Sequence, residues 1–293
     1  MSASIINITK ASHMCKLKQV FIIFFIILFS NFAFASQHVA SHRNPQEALL
    51  EKAKFEINHG SYDKALKLLF DYRKASLKNK KDQLAALFVI EAIGRIYLRV
   101  KQDPDAAIKF FSDALKDPNL LDTKFDIIRA WLGRAREWKN LNMFPKNISD
   151  PKKLFELGQK YYEQGIKSQQ YPRDVSASAD FSLASNYLVP FTIRFDKDPN
   201  IGEALYMMGE IRRRSWHDNG YWSENFYLME VIRRFPNSEL ASKAYSALFE
   251  DVHFGYSGSS GDSTPESWIE LLKEFDVLSR VNSQATPTTN KLN

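Results

Sequence analysis

Ala65, Leu66, Leu68, Leu69 and Tyr72 recur at the three- and four-residue spacing that puts apolar side chains on one face of a helix. That stripe belongs to a helix predicted from Asp63 to Ala75, preceded across His59-Gly60-Ser61-Tyr62 by another from Ala48 to Asn58. The pattern continues downstream. A helix carrying Ile93-Gly94-Arg95-Ile96-Tyr97-Leu98 turns at Gln102-Asp103-Pro104-Asp105 into a second that runs from Ala106 to Leu115. Further helices are expected over Ile127–Leu141, over Lys152–Ser168 behind Pro151, and from Val175 to an end or kink near Pro190. Others run from Pro199 through Gly209, over Ser223–Phe235, and from Asn237 towards Val252. Trp268, Leu271, Leu272 and Phe275 mark a last helix, whose start reads as Ser263-Thr264-Pro265-Glu266: a capping hydroxyl, a proline and an early acid.

Composition agrees with a helical reading. Glycine and proline together make up 22 of 293 residues, against roughly 35 from average usage. A chain poor in both has few tight turns, which favours long helices over many short strands. With 44% hydrophobic and 25% charged residues it is too apolar to be disordered. The expected fold class is all-α.

The first 35 residues follow a different logic. Lys16 and Lys18 precede an unbroken apolar run from Val20 to Phe29, and Ala33-Phe34-Ala35 follows before Ser36. Positive segment, short apolar segment and small-residue site are the parts of a secretory signal peptide, with cleavage expected after Ala35. The run is short for the roughly 20 apolar residues that span a bilayer; retention as an anchor is the alternative. Met14 opens a short positive segment of its own, so translation starts at Met1 or at Met14. Residues 36–44 read as a linker, 45–281 as the helical domain and 282–293 as a loose polar tail. The only cysteine, Cys15, lies in the leader and before the apolar run, so the mature chain has no disulfide and no site for lipid attachment. Removing the leader's three lysines leaves 37 basic and 34 acidic residues. So small a surplus, spread along helices, excludes a nucleic-acid footprint.

The segment 82–119 carries a recognisable pattern. Gly94 and Tyr97 on the first helix, Ala107, Phe111 and Ala114 on the second, and Pro118 after it occur in the order of the tetratricopeptide repeat, with one extra residue in the turn. Ala53, Gly60, Tyr62, Ala65 and Leu69 make a second copy upstream, and looser copies follow downstream. The chain resembles that family over two repeats well and elsewhere loosely. The resemblance implies an array of about four or five antiparallel helical hairpins closed by a C-terminal capping helix. One such unit cannot bury its apolar face alone, so copies must stack. It implies protein or peptide binding and no particular partner. Arg234-Phe235-Pro236-Asn237-Ser238 is similar to repeat junctions of periplasmic members.

Candidate chemistry is sparse. Glu266-Ser267 is similar to the catalytic Glu-Ser of soluble lytic transglycosylases, but the Gly-Leu-Met-Gln stretch expected after it is missing. Gly255-Tyr256-Ser257-Gly258-Ser259-Ser260-Gly261 meets Asp262 where a phosphate loop has lysine, and reads as a flexible turn. No nucleophile, base and orienting group assemble, so neither a catalytic residue nor a cofactor is assigned. No H-E-x-x-H occurs, and no metal is expected. Ser215-Trp216-His217-Asp218-Asn219-Gly220-Tyr221-Trp222 packs three aromatics into one interhelical turn. Trp216, Tyr221 and Trp222 are candidates for partner contact, or else cover a hairpin end.

In the repeat family the position after the first-helix glycine faces a concave groove. The resemblance therefore places Arg95, Arg134 and, one turn beyond Arg95, Arg99 towards one groove suited to an acidic peptide. Glu210, after Gly209, would end the positive stretch. The plainer alternative pairs these arginines with Glu91 and Glu137 along the helix faces. The expected function is a non-catalytic interaction scaffold, periplasmic or secreted, at most peripheral to the membrane. An accessory subunit of an envelope complex, using the convex face, and a small-ligand carrier are the other readings.

Overall fold

The computed structural model describes residues 45–76, 83–116, 122–171, 174–215, 225–259 and 261–281, with the backbone alone at 83–86 and 122–124. The leader, the aromatic turn 216–224 and the tail lie outside the described residues. The chain divides into two compact units, Met1–Lys78 and Asn79–Asn293.

The first unit contributes a helical hairpin, α1 (Pro45–Asn58) and α2 (Tyr62–Ser76). Gly60, at φ 73°, ends α1, a left-handed conformation that glycine adopts without a Cβ clash. The Ser61 N–H, donating 2.8 Å to Glu56 O, closes the turn. Ala53, Ala65, Leu66, Leu69 and Tyr72 are buried, in agreement with the apolar stripe.

Among its described residues the second unit's regular structure is helical apart from two two-residue strands, β1 (Ser257–Gly258) and β2 (Gly261–Asp262). α3 (Gln83–Arg95) runs into a π-helical segment, Ile96–Lys101, and is followed by α4 (Pro104–Ala114) and α5 (Asp122–Leu141). A 3-10 turn (Pro145–Asn147) leads to α6 (Pro151–Ser168), and another (Val175–Ala177) to α7 (Ser178–Arg194). Then come α8 (Ile201–Arg214), α9 (Phe226–Arg234), α10 (Glu239–Tyr256) and α11 (Glu266–Ser279). From α3 on, each helix packs on the next except α5 and α6, which meet mainly through α7, and α5 with α7, α6 with α8 and α8 with α10 also touch. α6 and α7 are antiparallel. Their contacts show it, because Gly158 meets Leu188 while Gly165, further along α6, meets Phe181 near the start of α7.

Helix starts follow local chemistry. Asp103 accepts from Ala106 N at 2.9 Å and Asp150 from Lys152 N at 3.0 Å, each followed by proline at the first helical position. Ser238 does the same for α10 through Ala241 N at 3.1 Å. The start of α11 departs from expectation. Pro265 holds the cap position with no side-chain bond, because Ser263 turns back to Tyr256 O (3.2 Å) and Thr264 to Asp262. The glycine-serine segment is not a plain turn either: β1 and β2 pair across it, and His253 bonds Asp262 at 2.7 Å.

A π-helical segment, wider than an α turn, precedes the turn at Gln102. Of the end or kink expected near Pro190, an end at the proline does not occur: α7 continues for another turn to Arg194. Proline removes only one donor, and helix propagation past it costs less where packing on both sides holds the helix, as it does for buried Tyr187, Leu188 and Phe191.

Candidate binding groove

The floor of the groove is one face of α7. Ser178, Ser182, Ser185, Val189 and Ile193 fall at three- and four-residue steps and line it. Two adjoining cavities lie along this face and share Arg99 and Ser185. The narrower, about 20 Å³, is bordered by Arg95, Arg99, Arg212 and three more serines, Ser178, Ser182 and Ser215. The wider, about 390 Å³, is an open cleft between Gln102, Pro145, Lys146, Val189, Ile193 and Arg194.

Charge distinguishes this groove. Arg95, Arg99, Lys146, Arg194 and Arg212 border the two cavities, and no Asp or Glu among the described residues does. Cations of one sign around a concave wall reinforce each other's field and attract an anionic partner. Arg194 also braces the rim: its Nη2 donates 3.2 Å to Pro145 O and its Nε 3.3 Å to Pro190 O. Ile193 is 74% exposed and leaves the cleft an apolar surface beside its charges. Gln102 Oε1 is shielded from solvent, and no donor among the described residues reaches it.

Of the arginines singled out in the sequence, Arg95 and Arg99 meet at the groove and Arg134 does not border it. The plainer alternative is present as geometry too. Arg95 lies 3.6 Å from the fully buried Glu91, and Arg134 Nη1 donates 2.8 Å to Glu137. Arg134 belongs to an ion cluster joining α5, α6 and α7. Its Nε donates to Asp180 Oδ1, Ser168 Oγ donates to Asp180 Oδ2, and Lys160 donates 2.7 Å to Glu137. Burial raises the Asp180 carboxyl above its ordinary value even against the hydrogen bond and charge of Arg134. Burial pushes Glu137 the same way, but its bonds and charge pairing with Lys160 and Arg134 win and hold it below the usual range. Trp138 Nε1 donates 2.7 Å to the Tyr187 hydroxyl beside this cluster, which in turn donates 2.8 Å to Met143 O.

Glu210 does not interrupt the basic lining. It is 3% exposed and held by Arg213 Nε and Arg214 Nε, both at 2.9 Å, while Arg212 continues the positive wall. Lys146, Arg194 and Arg212 were missed from the sequence. Arg212 stands in a run of three arginines whose plain reading is dipole complementation at a helix end, and Lys146, after Pro145, and Arg194, a turn beyond Pro190, have no repeat position to mark them. Trp216, Tyr221 and Trp222 lie outside the described residues. No group of three or more His, Cys, Asp and Glu placed to hold a metal occurs among the described residues.

No protein-family model, curated protein or solved structure matches this chain. What fold and groove together define is an all-helical protein, most of its helices packed on the next, with a basic cleft along one of them.

Proposed function

We propose that this protein is a tetratricopeptide-like, non-catalytic interaction scaffold of the bacterial cell envelope, exported by its leader, that holds an acidic segment of another protein in the groove along α7. The observation that carries the reading is the lining itself, five cationic residues and, among the described residues, no acid around two joined cavities. The apolar wall at Val189 and Ile193 gives a neighbouring side chain somewhere to lie. Packing of most helices on the next, with contacts between every second helix in places, supports a repeat array. No described helix is long and apolar enough to cross a membrane.

Titration with a hexaglutamate peptide blocked at both ends, against blocked hexaglutamine, tests this reading. At low ionic strength the acidic peptide should bind at least about tenfold more tightly, a difference of about 1.4 kcal/mol, and lose the advantage in high salt. Equal affinities would overturn it. The size of the cleft favours a second reading, a carrier of a small apolar carboxylate, since about 390 Å³ lies within the range of small-molecule sites. Tight binding of phenylbutyrate without preference for hexaglutamate would select it.

A further inference from the structure

Asn186 is 6% exposed, and its Nδ2 donates 3.0 Å to Leu98 O, a residue 88 positions earlier. Leu98 is itself fully buried and sits inside the π-helical segment Ile96–Lys101 that carries Arg99. Such a wide turn has poorer internal geometry than an α turn and persists where something fixes it; it is also common at functional sites. Two local bonds close its far end, since the N–H groups of Gln102 and Asp103 both donate to Tyr97 O. The Asn186 bond reaches the segment from a distant helix. Asn186 also borders the wider cavity, next to Ser185, which borders both. The turn of α7 that floors the groove therefore grips the backbone on which Arg99 is mounted.

We infer that Asn186 is a positioning residue of the groove: by holding Leu98 O it keeps the wide turn in place and aims Arg99 at the junction of the two cavities. Released, the segment can return to the α register, which carries the residues beyond it round the helix axis by as much as one residue's step, about 100°. Arg99 would then leave the position it shares between the cavities. This inference rests on the groove being the binding site.

A double-mutant cycle on the full protein tests it, with blocked hexaglutamate as the probe and thermal unfolding as the second readout. Asn186→Ala and Arg99→Ala should each weaken the probe about tenfold, the scale of one charge-assisted bond. The double variant should bind no worse than Arg99→Ala alone, because Asn186 acts through Arg99. Thermal stability should still fall when Asn186→Ala is added to the Arg99→Ala background, an effect that a purely structural role also gives and that the binding cycle does not. Additive losses of affinity, or unchanged affinity in a folded Asn186→Ala protein, would overturn the inference. Should Asn186→Ala not fold, Asn186→Leu, similar in size and without a donor, replaces it in the cycle under the same criteria. If Arg99→Ala leaves probe binding untouched while hexaglutamate still binds, Arg99 has no part in recognition and the inference falls with the groove intact. If hexaglutamate shows no preference at all, the groove reading itself has failed.

Discussion

The ring of Phe111 on α4 lies directly against the Cα of Gly94 on α3, where a Cβ would collide with the ring's far edge. Phe111 cannot yield easily. It is fully buried, stacked on Trp131 at 5.6 Å between centroids and edge-on to Phe110 at 5.3 Å. Gly94→Ala should therefore destabilise the protein by about 1–3 kcal/mol, the usual cost of overpacking. Gly133 on α5 is the control, since nothing lies within 4 Å of a Cβ built there. Gly133→Ala should stabilise by about 0.5–1 kcal/mol through helix propensity. Denaturant unfolding of the two variants decides; a stable Gly94→Ala protein would mean the helices are less tightly apposed than this pair requires.

Arg134 should matter for stability and not for peptide binding. Its guanidinium neutralises Asp180, whose side chain is 4% exposed. Breaking a buried pair from one side costs about 3–5 kcal/mol, and Arg134→Ala should fall near the lower figure because the arginine is itself 27% exposed. The surface pair Arg129–Asp126, at 3.3 Å and well exposed on both sides, should contribute under about 1 kcal/mol. Adding Asp180→Asn to Arg134→Ala should recover part of the loss. Unfolding curves and hexaglutamate titrations of the same variants separate the two roles.

Acid should expose the Glu210 cluster. Burial pushes this carboxyl up, but hydrogen bonds and charge from Arg213 and Arg214 outweigh it and leave it below the ordinary 4.5. The unfolded chain then binds the proton more readily than the folded one. The stabilisation is present above about pH 4.5 and is lost as pH falls through the folded value. Asp180 works in the opposite sense: with its folded value raised above 3.8, its contribution declines as pH rises through that window. Melting temperatures between pH 3 and 7 should show Glu210→Gln well below the parent at neutrality, with the gap narrowing on acidification. A gap independent of pH would remove Glu210 from the account.

Export makes a separate prediction. Protein recovered from the periplasm or medium of an expressing Gram-negative cell should begin at Ser36, as N-terminal sequencing can show. A chain that keeps residues 20–35 would be anchored instead. With cleavage blocked, a species beginning near Met1 would rule out Met14 as the start.

Much of the helical organisation is a local matter, and the sequence by itself determined it. Asp103-Pro104 and Asp150-Pro151 announce helix starts because cap and first turn lie within a few residues of each other, and the stripe through Ala65 and Leu69 needs only the helical period. The groove was only half legible. Each residue turns a helix by about 100°, so a charge's direction depends on how its helix is rotated against its neighbours, which sequence spacing does not specify. That rotation sends Arg134 into the Asp180 cluster, turns Arg212 into the groove, and buries Glu210 between two arginines. The π turn at Ile96–Lys101 belongs to the same class. The reach of Asn186 to Leu98 O, 88 residues back, exists only because α7 packs there, so tertiary structure alone decided where Arg99 stands.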